Sequence, residues 1–311
     1  MDLYNLKKNK LEEVNRVNFK LEKEIQTLVE ENVETLFDLE FISSEFSVGN
    51  FRLDSLCFDN ETNSFVVIEY KKGSSYSVID QGYSYMSIML NNKSDFILEY
   101  IEQTGKSLKK SDVDFSQSRI LFVSPSFNSY QKNSVNFKDV PFELWEIKKY
   151  SNGTIGLDQH VSSSNESIEK VEGNKNSVIK SVSKEVKFYK EEDVLKLSKQ
   201  HLQNIYHDIK DRISVWEDIS FGYKERYISI KKNNKIFVYI NFRKEFLKIE
   251  FYKIQSYKIK SGRKGFILDD PKNIFKVNKL KYYELYTYDL KNDKDIDYIL
   301  LMIKQKYDSS N

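Results

Sequence analysis

Asp54, Glu69 and Lys71 are the residues in this chain whose types and spacing could do chemistry. Glu69 and Lys71 end the apolar run Phe65-Val66-Val67-Ile68-Glu69-Tyr70-Lys71. In a strand, side chains alternate with period two, so Glu69 and Lys71 leave the same face as Phe65 and Val67. Asp54 lies one hairpin earlier, in Asn50-Phe51-Arg52-Leu53-Asp54, with the turn sequence Asp59-Asn60-Glu61-Thr62-Asn63 between. Antiparallel pairing would bring the two carboxylates together. Such a pair suits a hard divalent cation such as Mg²⁺ or Mn²⁺, which keeps few carboxylates and several waters. A cation there polarises a phosphoryl oxygen and lowers the pKa of a bound water. Lys71 is placed to position that water or to stabilise developing charge.

The elements that must position these groups follow from periodicity. The apolar set Leu21, Ile25, Leu28, Val29, Val33 and Leu36 predicts a helix over about Leu11 to Phe37. On that helix Glu22 falls roughly 50° from the centre of the apolar stripe, and a carboxylate facing a core needs a partner or a metal. Glu22 is therefore expected near the site. Strands are expected at Phe41 to Val48, Phe51 to Phe58, Phe65 to Lys71, Ile120 to Ser124 and Phe142 to Tyr150. Ser77 is expected to cap a helix from Val78 to about Leu90. Asp95 to Thr104 fits helix or strand.

From Ser162 to Lys180 the composition turns to Ser, Asn, Glu and Lys without a sustained period, which reads as a linker. A long amphipathic helix is expected from Glu191 to Trp216. Aromatic strands follow at Tyr227 to Lys231, Lys235 to Phe242, Leu247 to Tyr252 and Tyr282 to Tyr288, then a closing helix at Ile296 to Tyr307. The reading is two units of α/β or α+β type, a first domain over residues 1–157 and, after a linker over 158–188, a second over 189–311 that selects a substrate or partner.

The helix acid Glu22, Asp54 and the Ile68-Glu69-Tyr70-Lys71 strand end, followed by Gln81-Gly82-Tyr83-Ser84-Tyr85, resemble in order and spacing the PD-(D/E)XK nuclease superfamily, with the closest likeness to its NucS/RecB-like branch. The resemblance covers roughly residues 15 to 150. Phe51 stands where relatives of that branch often carry glycine. The resemblance implies a restriction-endonuclease-like α/β fold, a mixed sheet flanked by helices, with a C-terminal α+β domain, and a Mg²⁺- or Mn²⁺-dependent DNA nuclease. Asp54 and Glu69 would bind metal with the Tyr70 carbonyl, Lys71 would be catalytic, and Gln81 and Tyr85, four apart on one helix face, would support the site. It further implies restriction, anti-phage defence or DNA repair as the setting, and a homodimer where two strands are cut. RNA is the other nucleic acid to consider. A catalytically silent nuclease fold that only binds nucleic acid is the alternative.

Composition narrows the rest. Hydrophobic residues are 40% of 311, enough for real cores. A net charge of +2 neither favours nor excludes nucleic acid, since basic residues can still cluster on one face. The one cysteine, Cys57, rules out an internal disulfide and reads as a buried small hydrophobe. Met1 to Lys10 is polar, no run is apolar enough to span a bilayer, and a cytoplasmic protein with no membrane partner is expected. The three histidines, His160, His201 and His207, read as surface residues outside the first domain. Core packing is expected for most of the aromatics Tyr223, Tyr227, Phe237, Tyr239, Phe242, Phe246, Phe251 and Tyr252, rather than base stacking. The lysine clusters at Lys231-Lys232, Lys258 to Lys264 and Lys276 to Lys281 fit a phosphate backbone or a solvated face equally.

Overall fold

Leu3–Lys7 (β1) and Lys10–Val14 (β2) pair as a hairpin in the computed structural model of the chain, which describes residues 2–73, 77–162, 164, 166–168, 177–233, 235–255, 265–279 and 283–310. Lys8 and Asn9 both have positive φ, the two-residue turn that suits strand twist. This hairpin replaces the first turns of the helix expected from Leu11. Leu11 is exposed, so it offers no apolar face on which a helix could be held.

By contact density the chain divides into two units, Met1–Lys187 and Phe188–Asn311. The first continues through Arg16–Val17 (β3), Glu22–Glu30 (α1), Val33–Phe37 (α2), Glu40–Val48 (β4), Phe51–Asp59 (β5) and Ser64–Tyr70 (β6). Val78–Asn91 (α3), Lys93–Thr104 (α4), Arg119–Ser124 (β7), Ser129–Ser134 (α5), Phe142–Tyr150 (β8), Ile155–His160 (β9) and Ser177–Glu185 (α6) complete it. The expected single first helix is broken at Asn32, whose side-chain amide donates to the Leu28 carbonyl at 2.8 Å.

The seven-stranded sheet runs β3-β8-β7-β6-β5-β4, with β9 also on β8. β6 to β7 and β7 to β8 are parallel and the other pairs antiparallel, so the sheet is mixed and the fold α/β. The parallel strands read as continuous apolar runs because both of their faces are covered. Phe65, Val67, Ile120, Phe122 and Leu144 face Met86 and Met89 of α3 and Phe96 and Tyr100 of α4. Val66, Ile68, Tyr70, Leu121, Val123 and Ile147 face Ile25 and Val29 of α1. Each such side chain contributes about 1.5–3 kcal/mol of burial.

The segment expected as a linker is not one. Ile168, Ile179, Val182 and Val186 are buried in the first unit's core. The Asp139 carboxylate accepts from the Ser167 hydroxyl and, at 2.9 Å, from the Ile168 N–H. Its polar surface hid a short amphipathic helix with one apolar edge. His160 likewise lies on β9 in this unit, opposite Leu144.

In the second unit Glu191–Leu195 (α7) and Gln200–Ile213 (α8) replace the expected continuous helix. The Ser198 hydroxyl donates to the Arg243 carbonyl at 2.8 Å, and the Gln203 amide donates to the Leu195 and Ser198 carbonyls, which closes α7. Ile219–Tyr223 (β10), Tyr227–Lys232 (β11), Lys235–Phe242 (β12), Leu247–Gln255 (β13), Lys276–Lys279 (β14) and Tyr283–Leu290 (β15) form a six-stranded antiparallel sheet in the order β10-β11-β12-β13-β15-β14. Ile296–Asp308 (α9) closes the chain. Phe237, Phe242 and Phe251 are in the core, whereas Tyr223, Tyr227, Tyr239, Phe246 and Tyr252 are half-buried. The lysines from Lys258 to Lys264, and Lys281, lie outside the described residues. Lys276 and Lys279 are exposed on β14.

Candidate active site

The β5–β6 hairpin sets the position of Asp54. Its turn is held by the Asp59 carboxylate, which accepts from the Glu61 and Thr62 N–H groups at 2.8 and 3.2 Å and pairs with Arg119 at 2.8 Å. The ladder runs from Asp59↔Ser64 to Ser55↔Ile68. One step past that last pair, the Asp54 carboxylate accepts the Tyr70 N–H at 3.0 Å. A side chain has taken the place of a strand carbonyl, which fixes Asp54 over the end of β6. The Gln26 amide donates to the Asp54 carbonyl at 3.1 Å and holds it from the α1 side.

Glu69 is 3% exposed. Its Oε1 accepts from Lys71 Nζ and from Gln81 Nε2, both at 2.6 Å, while its Oε2 is buried without a hydrogen-bond partner among the described residues. Gln81 Nε2 also donates to the Tyr85 hydroxyl at 2.9 Å, one turn along α3. Two features bring α3 this close. The Ser77 hydroxyl caps it by accepting the Asp80 N–H. Gly82 lies so near Phe142 that a Cβ would fall 2.7 Å from its ring. The Lys71 N–H donates to the Val123 carbonyl at 2.9 Å, so Lys71 continues the line of β6 and its ammonium stays buried.

Burial first, and then the charge of Glu69, pushes the Asp54 carboxyl up to about 7, against the opposing Tyr70 N–H and Lys71 ammonium. Burial and Glu69 likewise push the Tyr85 phenol up. Among the described residues, no group of three or more His, Cys, Asp or Glu side chains converges. What the site offers is two close carboxylates and an orphaned buried oxygen. That donor set fits a hard cation that completes its shell with backbone oxygen and water. A buried acceptor left without a partner costs about 1–3 kcal/mol, which a cation at Glu69 Oε2 would relieve.

Asp54, Glu69, Lys71, Gln81 and Tyr85 thus come together at the end of β6, with the Tyr70 backbone. The Tyr70 side chain turns to the other face, where its hydroxyl meets the Ser55 hydroxyl at 3.0 Å. The expected burial of Glu22 is corrected, while its place near the end of β6 is kept by a bond to Lys72. Glu22 is exposed, at the first residue of α1 rather than inside its buried face, and accepts the Lys72 N–H at 2.9 Å. The buried polar position of α1 is Gln26, beside Ile25 and Val29.

Gln26, Glu30, Ser55 and Glu45 surround Asp54 from below, and the sequence reading missed them. Ser55 donates to Glu30 at 2.6 Å, and the Gln26 amide lies 2.9 Å from Glu30, 3.1 Å from Ser44 and 3.3 Å from Glu45. Glu45 holds φ +57° within β4, between the pairs Ser44↔Ser55 and Phe46↔Leu53. A non-glycine residue there is strained by on the order of 1 kcal/mol or more. Arg52 pairs with Glu45 at 2.8 Å and is exposed. The one legible signal was Gln26 itself, an amide set between Ile25 and Val29.

Cys57 is fully buried, and burial pushes its thiol up. Among the described residues, no helix is long and apolar enough to cross a membrane.

No family model matches the chain. Two solved structures resemble part of it. One is an EndoMS–dsDNA complex, 22% identical, covering 44% of this chain and 54% of that one, with a TM-score of 0.29. The other is a repair endonuclease from Pyrococcus abyssi, 19% identical, covering 41% and 48%, with a TM-score of 0.25. The chain spans about half the length of these solved chains. An uncharacterized protein of Haemophilus influenzae is 40% identical over 310 residues, 98% of this chain and 99% of that protein. The chain belongs to one family with that Haemophilus influenzae protein, and both units are part of it.

Proposed function

We propose that the first unit is a divalent-cation-dependent DNA nuclease of the PD-(D/E)XK type that hydrolyses phosphodiester bonds. The observation that carries this reading is the buried Glu69 Oε2, without a partner among the described residues, beside a carboxylate whose ionisation Glu69 opposes. Asp54, Glu69 and the Tyr70 carbonyl would hold Mg²⁺ or Mn²⁺. When bound, the cation supplies Lewis acidity to a phosphoryl oxygen. Lys71 presents its ammonium beside Glu69, where it steadies the attacking water or the charge that grows on phosphate. Gln81 fixes the Glu69 carboxylate, and Tyr85 fixes Gln81. The Asp54 interaction with the Tyr70 N–H keeps the second carboxylate in register. DNA repair or defence against foreign DNA is the setting this activity fits.

The test is cleavage of single-stranded, duplex, branched and base-modified DNA with Mg²⁺, Mn²⁺ or EDTA, with wild type and Glu69→Ala side by side and both checked by thermal melting. Metal-dependent cutting that drops at least about a thousandfold in a folded Glu69→Ala is expected. Binding that persists in EDTA, with no cutting in any metal, would replace the nuclease with a silent binding module.

A further inference from the structure

A cleft of about 470 Å³ opens at the ends of β6 and β7, with Phe19 and Ile147 of the α1 side of the sheet in its wall. Among the described residues that line it, Arg16, Lys72, Lys148 and Lys149 are cations and none is a carboxylate. The cations come from three separate parts of the chain. Arg16 is on the edge strand β3, Lys72 follows β6, and Lys148 and Lys149 are on β8. Lys72 directly follows Lys71, so the cleft begins where the candidate active site ends.

The heads of Lys72 and Lys149 are held from outside the cleft on the α1 face, while Lys148, which alternates with Lys149 along β8, lines the cleft with its head held by Glu146 on the other face. Lys72 Nζ donates to the Lys20 carbonyl, Lys149 pairs with Glu24 at 2.8 Å, and Lys148 pairs with Glu146 at 3.1 Å. Glu146 is shared with Lys132 at 2.8 Å; burial raises its pKa, but those two lysines outweigh it and hold the carboxyl down at about 2. Each ammonium has three N–H groups, so one anchoring partner leaves capacity for a ligand. Anchored cations lose little freedom on binding, which favours affinity.

The chemistry that fits is anionic and larger than a phosphate ion. The volume is within the range of organic ligand sites, roughly 300–1,000 Å³. Val17 and Pro125 supply apolar wall between the cations. A nucleotide has both parts, a phosphate for the cations and a sugar and base for the wall.

We propose that this cleft is a subsite for a phosphate-bearing nucleotide of the substrate strand, reached from the Asp54–Glu69 site over the end of β6. The assignment of that strand as substrate rests on the nuclease reading above. The occupancy of the cleft by nucleic acid is read independently of cutting.

The test is anisotropy of labelled single-stranded DNA with the full-length protein in EDTA, across a salt series, with a 5′-phosphate or a 5′-hydroxyl. The variants are Lys72→Gln/Lys149→Gln and Arg16→Gln/Lys148→Gln. Lys109→Gln/Lys110→Gln, two exposed residues that do not line the cleft, serves as control. The cleft variants should bind at least about tenfold more weakly, with a salt slope shallower by about 1–2, at roughly 0.7 for each phosphate no longer neutralised. The control should match wild type. Equal weakening with both DNA ends assigns the cleft to an internal phosphodiester, and disappearance of a 5′-phosphate preference assigns it to a strand end; both support the subsite. Unchanged binding in both cleft variants, or wild type that does not bind DNA, overturns it. The same samples with Mn²⁺ separate the two ideas. Cleft-dependent binding without cutting defeats only the nuclease reading, and cutting with cleft-independent binding defeats only the subsite.

Discussion

Asp54 and Glu69 share one small, poorly solvated volume, and in the absence of a cation one of them resists ionisation. The Asp54 carboxyl is pushed up to about 7 from an ordinary value of 3.8, by burial and then by Glu69. Between those two pH values the folded state holds a proton that the unfolded chain has released. Stability from this group is therefore fully present below about pH 4 and is lost as pH rises through about 7. In chelator, Asp54→Asn should be more stable than wild type at pH 8, by on the order of 2 kcal/mol after discounting for partial exposure, and the advantage should vanish near pH 4. Melting both proteins at the two pH values checks this; a difference independent of pH would show that Asp54 is not desolvated. If the proposed cation binds there, the same proton must leave. Calorimetry in buffers of different ionisation enthalpy should find about one proton released per Mn²⁺ at pH 6, with affinity falling roughly tenfold per pH unit below 7. That Asp54, Glu69 and Lys71 lie close together was legible from strand alternation and one hairpin turn, whereas Gln81 and Tyr85 were singled out only by the family resemblance, helix periodicity showing no more than that they share a face. The burial expected of Glu22 presupposes a helix already under way at that residue, whereas α1 begins at Glu22, where a side chain sees solvent. Glu45 was not legible at all, since its positive φ comes from the pairing of β4 with β5.

At the scale of elements, α3 delivers Gln81 to Glu69, and its approach depends on Gly82. The Phe142 ring that a Cβ would strike is itself packed against Tyr83 and Phe122, with centroids at 4.9 and 6.3 Å, so it has little room to yield. Gly82→Ala raises helix propensity by about 1 kcal/mol, and overpacking costs about 1–3 kcal/mol, so the clash should win. The expected result is a lower melting temperature together with reduced cutting below the melt, because α3 moves away and the 2.6 Å Gln81–Glu69 hydrogen bond opens. A variant as stable and active as wild type would show that α3 is not tightly seated. The runs Phe65 to Ile68 and Ile120 to Val123 were legible as strands, because burial on both faces leaves an unbroken apolar signature. The breaks at Asn32 and between Leu195 and Gln200 were not. They are set by side chains that close carbonyls, Asn32 on Leu28, Gln203 on Leu195 and Ser198 on the distant Arg243, while the apolar period passes through them unchanged.

For the whole molecule, the division at Lys187 and Phe188 makes α6 part of the first unit's core rather than a tether. Ile168, Ile179, Val182 and Val186 together contribute about 6–12 kcal/mol of burial, comparable to the entire net stability of a domain, about 5–15 kcal/mol. Lys93 also pairs with Glu185 at 2.6 Å, tying α4 to α6. A chain ending at residue 187 should therefore melt cooperatively, and one ending at residue 157 should not fold stably, although it retains every residue of the candidate site. Thermal melts by circular dichroism distinguish the two, and a cooperative 1–157 would return residues 158–187 to the status of a linker. The 1–187 protein then isolates the contribution of the second unit. It keeps Asp54, Glu69 and Lys71 and the basic cleft, so metal-dependent cutting should survive in it. The Haemophilus influenzae relative matches 98% of this chain, so the two units have been kept together. That pairing leads to the last expectation, that the truncated protein cuts with reduced discrimination among DNA forms. Comparing its cleavage of single-stranded, duplex and branched DNA with that of the full chain tests this. An unchanged order of preference would place substrate selection in the first unit alone.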